Sequence, residues 1–302
     1  MSKPRKVLPG TTYLLTRSTV DRRFFLAPND SLVALVFWFC IAVAARLFSI
    51  DIHAVCVMST HLHIVFTDAR GNHPRFLQWL FRHSALCLKR LRNIDESVWS
   101  ARKPNCVELR TPQAILEAIA YTLANPASSG LLPEAKAWPG AISRPEDLSG
   151  REVEVEVPPL YFGRRWKADQ LRLSMPAALA AEHGVEATIE AIKGRIRQLE
   201  ETKAAELRAA GKSFLGLDRV LRTKPMDRPR TERGEPAGTG LVPSLKALCR
   251  EAMAEGREEL RAFLQAYSEA LEAWRAGERQ VLFPAGTWWM ARFHGAMVAA
   301  PD

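Results

Sequence analysis

Two histidines one residue apart, His61 and His63, lie in a stretch that reads as a β-strand, His61 to Asp68. Strand side chains alternate between faces, so both imidazoles share one face while Leu62, Ile64 and Phe66 share the other, free to pack under helices. Two neighbouring imidazoles on a rigid strand can hold a divalent metal ion and leave positions open for substrate oxygens. The plainer reading of the triplet is a pair of outward-facing surface histidines. Tyr121 and Asn125 stand four residues apart in a helix-forming stretch that follows Thr111, so they share a helix face. A phenol becomes a competent nucleophile beside a metal that polarises a phosphoryl group. Asn125 is then a candidate third ligand through its amide oxygen, and Glu117, four residues before Tyr121, competes for that role. The plainer reading here is a core tyrosine and a helix-terminal asparagine.

The elements that must position these groups follow from pattern. Thr11 to Ser18 is rich in Thr, Tyr and Leu and predicts a strand. Pro28, Asn29 and Asp30 form a turn and cap before an apolar helix that reaches Phe48. Ile50 to Val57 predicts a strand, joined through Met58, Ser59 and Thr60 to the histidine strand, and so short a link makes the pair antiparallel. Arg75 to Arg92 predicts an amphipathic helix, Val98 to Arg110 one or two short extended pieces. The helix capped by Thr111 should end near Asn125, because Pro126 biases its predecessor away from helical angles. Strand, helix, strand, strand, helix, strand, helix is the order of an α+β sandwich, an antiparallel sheet with helices on it, of the ferredoxin or RNA-recognition-motif kind.

Composition shifts after Gly140. Residues 1–145 are expected to form one domain and 146–302 a mainly helical, basic C-terminal region. There Arg151 to Val157 alternates charge with valine as an exposed strand, charged helices cover Val185 to Ala210 and Ser244 to Ala276, and a Pro/Gly-rich basic loop runs from Lys224 to Gly240. The pair Trp288–Trp289 is expected in a core or a docking contact.

The chain has 302 residues, a net charge of +9 and 47% hydrophobic residues. That composition excludes wholesale disorder and points to an anionic partner, nucleic acid before a membrane surface. Five scattered cysteines argue against a disulfide framework and a zinc finger, and suit a reducing cytosol. The apolar run Leu32 to Ala45 is shorter than the roughly 20 residues of a bilayer crossing, so it reads as a buried core helix, and the start of the chain does not read as a secretory signal. A cytoplasmic, nucleoid-associated protein with no membrane partner is the expectation.

The stretch His53-Ala-Val-Cys-Val-Met-Ser-Thr-His61-Leu-His63 resembles the strand pair that bears the histidine–hydrophobe–histidine motif of the single-tyrosine HUH transposases, which include the insertion-sequence-200 type and the REP-associated tyrosine transposases. Ala120-Tyr121-Thr-Leu-Ala-Asn125-Pro126, followed by Gly130-Leu131, resembles that family's helix with the nucleophilic tyrosine. Trp99 and Arg102 fall where the family often has a Trp and an Arg. The resemblance covers roughly Pro9 to Ala141. It implies cleavage and rejoining of single-stranded DNA carrying hairpins, through a 5′-phosphotyrosine on Tyr121, with Mg²⁺ or Mn²⁺ on His61 and His63 and the third position left open between Asn125 and Glu117. It also implies either a monomer or a homodimer that shares helices. Two departures stand out: Ser59-Thr60 replaces the family's usual Pro-Asn before the first histidine, and Ser128 replaces a basic residue. The alternative reading is a domesticated, non-catalytic nucleic-acid-binding protein on the same fold.

Single-strand binding needs a basic track. Arg75, Arg82 and Lys89 on the second helix, Arg17 at the first strand and Arg102 are candidates, joined by Lys3, Arg5, Lys6, Arg22 and Arg23. In the C-terminal half, Arg164, Arg165 and Lys167 surround Trp166, and Arg219, Arg222, Lys224, Arg228, Arg230 and Arg233 form a second cluster.

Overall fold

The computed structural model describes residues 4–229 and 244–301. Lys3, Arg230, Arg233 and most of the expected Lys224–Gly240 loop lie outside the described residues. The N-terminal order is β1 (Thr11–Ser18), α1 (Ser31–Phe48), β2 (Ile50–Val57), β3 (His61–Asp68), α2 (His73–Arg92), β4 (Asn105–Leu109) and α3 (Pro112–Ser128). After these come β5 (Ser149–Val155), β6 (Asp169–Ser174), α4 (Ala177–His183), α5 (Val185–Ala209), α6 (Leu217–Leu221), β7 (Leu245–Lys246), α7 (Arg250–Arg275), β8 (Leu282–Phe283), α8 (Trp288–His294) and β9 (Met297–Val298).

Seven strands form one sheet in the order β5-β6-β2-β3-β1-β4-β7. Its middle, β2-β3-β1-β4, is antiparallel and has the ferredoxin-like order expected from the sequence. The two parallel junctions, β2–β6 and β4–β7, attach later chain to either side. Residues on both sides of 145/146 therefore share the sheet. Where an uninterrupted helix was expected from Ser244, Leu245–Lys246 is spent on edge strand β7 and the helix starts at Arg250.

Helices cover both faces of the sheet. On one face α1 and α2 bury Leu15, Ile52, Leu62, Ile64 and Phe66. On the other, α3 with α4 and α5 buries Ala54, Val65 and Leu109. Alternation within β3 thus sends Leu62 to one core and His63 to the opposite face. By length and composition α1 would span a bilayer (18 residues, mean hydropathy 2.2), so it is not set apart by shortness as the apolar run suggested. Its packing sets it apart: Val36, Phe37, Phe39, Cys40 and Ile41 are fully buried in the sheet core. Asp30 starts it by accepting the Leu32 N–H at 2.9 Å.

Two irregularities shape the site face. His53 is an extra residue between the pairs Ile52–Phe66 and Ala54–Val65, a bulge in β2. Its ring is buried between the Ser174 carbonyl (2.6 Å) and Thr67 Oγ1 (2.8 Å). The second is α3, which runs through Pro126 to Ser128 instead of ending at Asn125. Proline removes one i→i−4 donor, but it falls in the last turn, where the chain closes by other bonds. Gly130, at φ 71°, donates to Ala127 O and Leu131 donates to Pro126 O.

The far end of the chain packs a small cluster of its own around Phe283, Met290 and Ala296. Trp289 departs from the core placement considered for the pair. It is 58% exposed and lies tilted against Phe293, while Met290 takes the buried position.

Candidate active site

The histidine strand, the end of α3 and β1 converge. His61 and His63 ring centroids lie 4.8 Å apart and nearly perpendicular. The Tyr121 ring stands 5.4 Å from His63, edge-on. Asn125, one turn further along α3, brings Nδ2 to 3.3 Å from His63 Nε2. So the i, i+2 pair on the strand and the i, i+4 pair on the helix do meet. The imidazoles are not the outward surface pair of the plainer reading: His63 is buried beneath α3. Tyr121 remains 37% exposed and opens into a groove of about 1510 Å³ lined by both histidines.

Each imidazole is also held from behind. His61 Nδ1 lies 2.9 Å from Thr60 Oγ1, and His63 Nδ1 lies 3.0 Å from Thr16 Oγ1. Thr16 sits directly across the β1–β3 ladder from His63. Ser129 Oγ donates to Asn125 Oδ1 at 3.3 Å. Thr16 and Ser129 were not foreseen. Thr16 belongs to the site only through strand register, which the sequence does not display. Ser129 is four residues beyond Asn125, and only the continuation of α3 past Pro126 brings it there.

Glu117 does not join them. Its carboxylate binds the Arg195 guanidinium on α5 at 2.9 Å. Two turns before Asn125, Glu117 lies within reach of α5, and its acid meets that cation first. Among the described residues no group of three or more His, Cys, Asp or Glu could hold a metal ion. Two imidazoles and an amide, whose oxygen would have to turn toward them in place of the Nδ2 that now faces His63, make a donor set suited to a weakly held divalent cation.

The cationic residues divide by face. Arg17 and Arg102 line the groove, together with Arg5, Arg22 and Lys103. Arg17 lies over the Phe81 ring (4.5 Å) and the Trp99 ring (5.7 Å) and donates to Ser100 O at 3.3 Å. Trp99 is itself fixed by its Nε1 bond to Phe81 O at 3.0 Å. Burial, with Arg5 nearby, pulls the Arg17 pKa down to about 10, so it stays charged at neutral pH. Arg222 and Lys224 are exposed at the rim, beside the groove residues Val220 and Thr223.

Arg75, Arg82 and Lys89 are not part of this arrangement. They ride on α2, across the sheet from Tyr121. Arg75 lies over Phe48, Lys89 donates to Asp95 O, and Arg82 is exposed. The loop with Arg164, Arg165 and Lys167 seats Trp166 against Trp79 on that same far side.

No family model matches the sequence, and no curated protein matches it. Among solved structures the chain is similar to a REP-associated tyrosine transposase bound to a REP hairpin, at 18% identity and a TM-score of 0.39, over 46% of this chain and 81% of that one. It is also similar to a candidate transposase from Deinococcus radiodurans R1, at 18% identity and a TM-score of 0.28, over 35% of this chain and 85% of that one.

Proposed function

We propose that this chain is a transposase-like strand transferase that cuts and rejoins single-stranded DNA through a covalent link to Tyr121. One observation carries the reading. A half-exposed tyrosine opens into a basic groove beside two imidazoles and an amide that share one small volume. A nucleophile, a cation-binding set and a phosphate-attracting surface are what phosphoryl transfer needs in one place.

Tyr121 Oη attacks the scissile phosphorus, an O–P bond forms, and the bond to the 3′ oxygen breaks. The phenol proton passes to solvent, and the leaving 3′ oxygen takes a proton from it. The products are a 5′-phosphotyrosine and a free 3′-hydroxyl. A different 3′-hydroxyl can reverse the step on the same phosphorus, which joins new ends without an external energy source. Mg²⁺ or Mn²⁺ held by His61, His63 and Asn125 would neutralise a phosphate oxygen during the attack. Arg17 and Arg102 hold the strand in the groove, and Arg222 and Lys224 meet it at the rim. The hairpin-bearing substrate follows from the resemblance of the two motifs.

Denaturing electrophoresis of the protein with labelled hairpin-bearing single strands and Mn²⁺ tests this. The expected result is a slow-migrating adduct that disappears in Tyr121→Phe and in chelator, while Tyr121→Phe binds DNA within about twofold of wild type. Tight binding with no adduct on any substrate would leave the non-catalytic binding protein as the reading.

A further inference from the structure

We propose that Thr16 and Thr60 are positioning residues that set the tautomer of the two site histidines, each accepting a hydrogen bond from Nδ1–H so that Nε2 carries the lone pair. The inference rests on the reading of His61 and His63 as cation ligands and adds what prepares them for it.

A neutral imidazole carries its proton on one nitrogen and its lone pair on the other, and only the lone pair binds a metal ion. In water the proton prefers Nε2, which is the wrong nitrogen for this site. A partner that accepts from Nδ1 reverses the preference. Here both Nδ1 atoms have one, at 2.9 Å and 3.0 Å, and both partners are threonine hydroxyls.

The two hydroxyls reach the histidines by unrelated routes, and each stands on a fixed backbone. Thr16 pairs with His63 across the ladder. Thr60 lies in the β2–β3 connection, where its carbonyl accepts from Thr19 N (2.9 Å) and Thr19 Oγ1 (3.0 Å). The preceding carbonyl, Ser59 O, accepts from Leu26 N at 3.1 Å. The departure Ser59-Thr60 therefore does not leave His61 unsupported, because Thr60 supplies the oxygen.

On the His63 side a third contact agrees with this direction. Asn125 Nδ2 faces His63 Nε2 at 3.3 Å, while Ser129 Oγ donates to Asn125 Oδ1. An N–H donor facing Nε2 needs a lone pair there. Ser129, Asn125, His63 and Thr16 then form a chain in which every group donates to the next. A serine hydroxyl can also accept, so Ser129 tolerates the reversed amide that offers Oδ1 as a ligand.

No carboxylate contributes to this set, so affinity for a cation depends on lone pairs that are already in place. Replacing a partner of this kind typically costs about 10- to 100-fold in metal affinity. Valine keeps the β-branched shape of threonine and suits a strand.

The decisive experiment is long-range ¹H–¹⁵N correlation of the imidazole nitrogens in full-length, metal-free protein at a pH where the rings are neutral, with Mn²⁺ affinity measured in parallel by electron paramagnetic resonance. Wild type is expected to show Nδ1–H at both rings. Thr16→Val should shift His63 toward Nε2–H and leave His61 unchanged; Thr60→Val should do the converse. Each is expected to weaken Mn²⁺ binding about tenfold or more, and Thr16→Ser and Thr60→Ser should restore both readouts. Nε2–H at either ring in wild type would overturn the proposal, as would valine variants with unchanged tautomers or unchanged Mn²⁺ affinity. If wild type binds no Mn²⁺, the cation reading fails separately, and the tautomer spectra still decide what the hydroxyls do.

Discussion

Arg17 is held in place by its own neighbours: its guanidinium lies over the Phe81 ring with the Trp99 ring beside it, and a carbonyl accepts from it. A planar group on a stacked site is not replaceable by an ammonium. We expect Arg17→Lys to weaken single-strand binding nearly as much as Arg17→Ala, by several-fold in an anisotropy titration, whereas Arg82→Ala should change it by less than a factor of two. Equal effects at Arg17 and Arg82 would place the strand on the wrong side of the sheet. His61, His63, Tyr121 and Asn125 were legible in the sequence because strand and helix periodicities are local, and two residues on one face stay there whatever they pack against. Glu117, the competitor for the third ligand position, falls away for a complementary reason. Its periodicity was right, but its partner, Arg195, lies 78 residues further along the chain, and no local rule pairs them. Thr16 needed the β1–β3 register, which is long-range information.

Among the elements, β2 carries the feature with the clearest consequence in solution. His53 in the bulge is buried, and burial pushes its pKa down to about 4, against a smaller upward pull from the Ser174 carbonyl. Between pH 6.5 and 4 the unfolded chain takes up a proton that the folded chain refuses. Stability is therefore full above 6.5 and falls as pH drops through this window, by up to about 3 kcal/mol from this one group. Urea unfolding at pH 7 and 4.5 should show a larger loss for wild type than for His53→Gln; parallel losses would contradict it.

Helix α7 is latched in another way. Glu259 accepts two bonds from Arg110 (2.6 and 3.0 Å) and one from Lys6 (3.1 Å). The Arg110 bonds, with Lys6, hold its pKa at about 2. Gly256 makes room for the arginine, since a Cβ there would lie 2.6 Å from Arg110 Cδ. Glu259→Gln should speed hydrogen exchange in α7 and leave β2 and β3 unchanged, because the small C-terminal cluster is otherwise tied on mainly by short edge pairings. Strands β1, β2 and β3 are legible in the sequence at their observed limits, since alternation and turn residues mark them, whereas β4 occupies only Asn105–Leu109 of the extended stretch expected from Val98 to Arg110. Strand β7 is not legible, because two residues carry no periodicity and gain strand geometry only from β4.

At the level of the whole molecule, which carries a net charge of +9, two of the cationic surfaces have the sheet between them. One is the groove at Tyr121. The other is α2, which carries Arg75, Arg82, Lys89, Arg90 and Arg92 and no acidic residue. Counterion release predicts that each groove cation removed lowers the salt slope of single-strand binding by about 0.7. Arg17→Ala and Arg102→Ala together should therefore lower it by about 1.4. The ferredoxin-like core was legible from element order alone. Its completion by β5, β6 and β7 was not, since it depends on where distant segments find a sheet edge.

The most direct test of the account uses the chain's four tyrosines. The adduct with a labelled single strand would be digested with nuclease and trypsin and the nucleotide-bearing peptide sequenced by mass spectrometry. The expected result is a single modified site, Tyr121, joined to a 5′-phosphate. Tyr13 is 5% exposed, and its phenol is pushed to a higher pKa by burial. Linkage at Tyr161 or Tyr267, or through a 3′-phosphate, would contradict it.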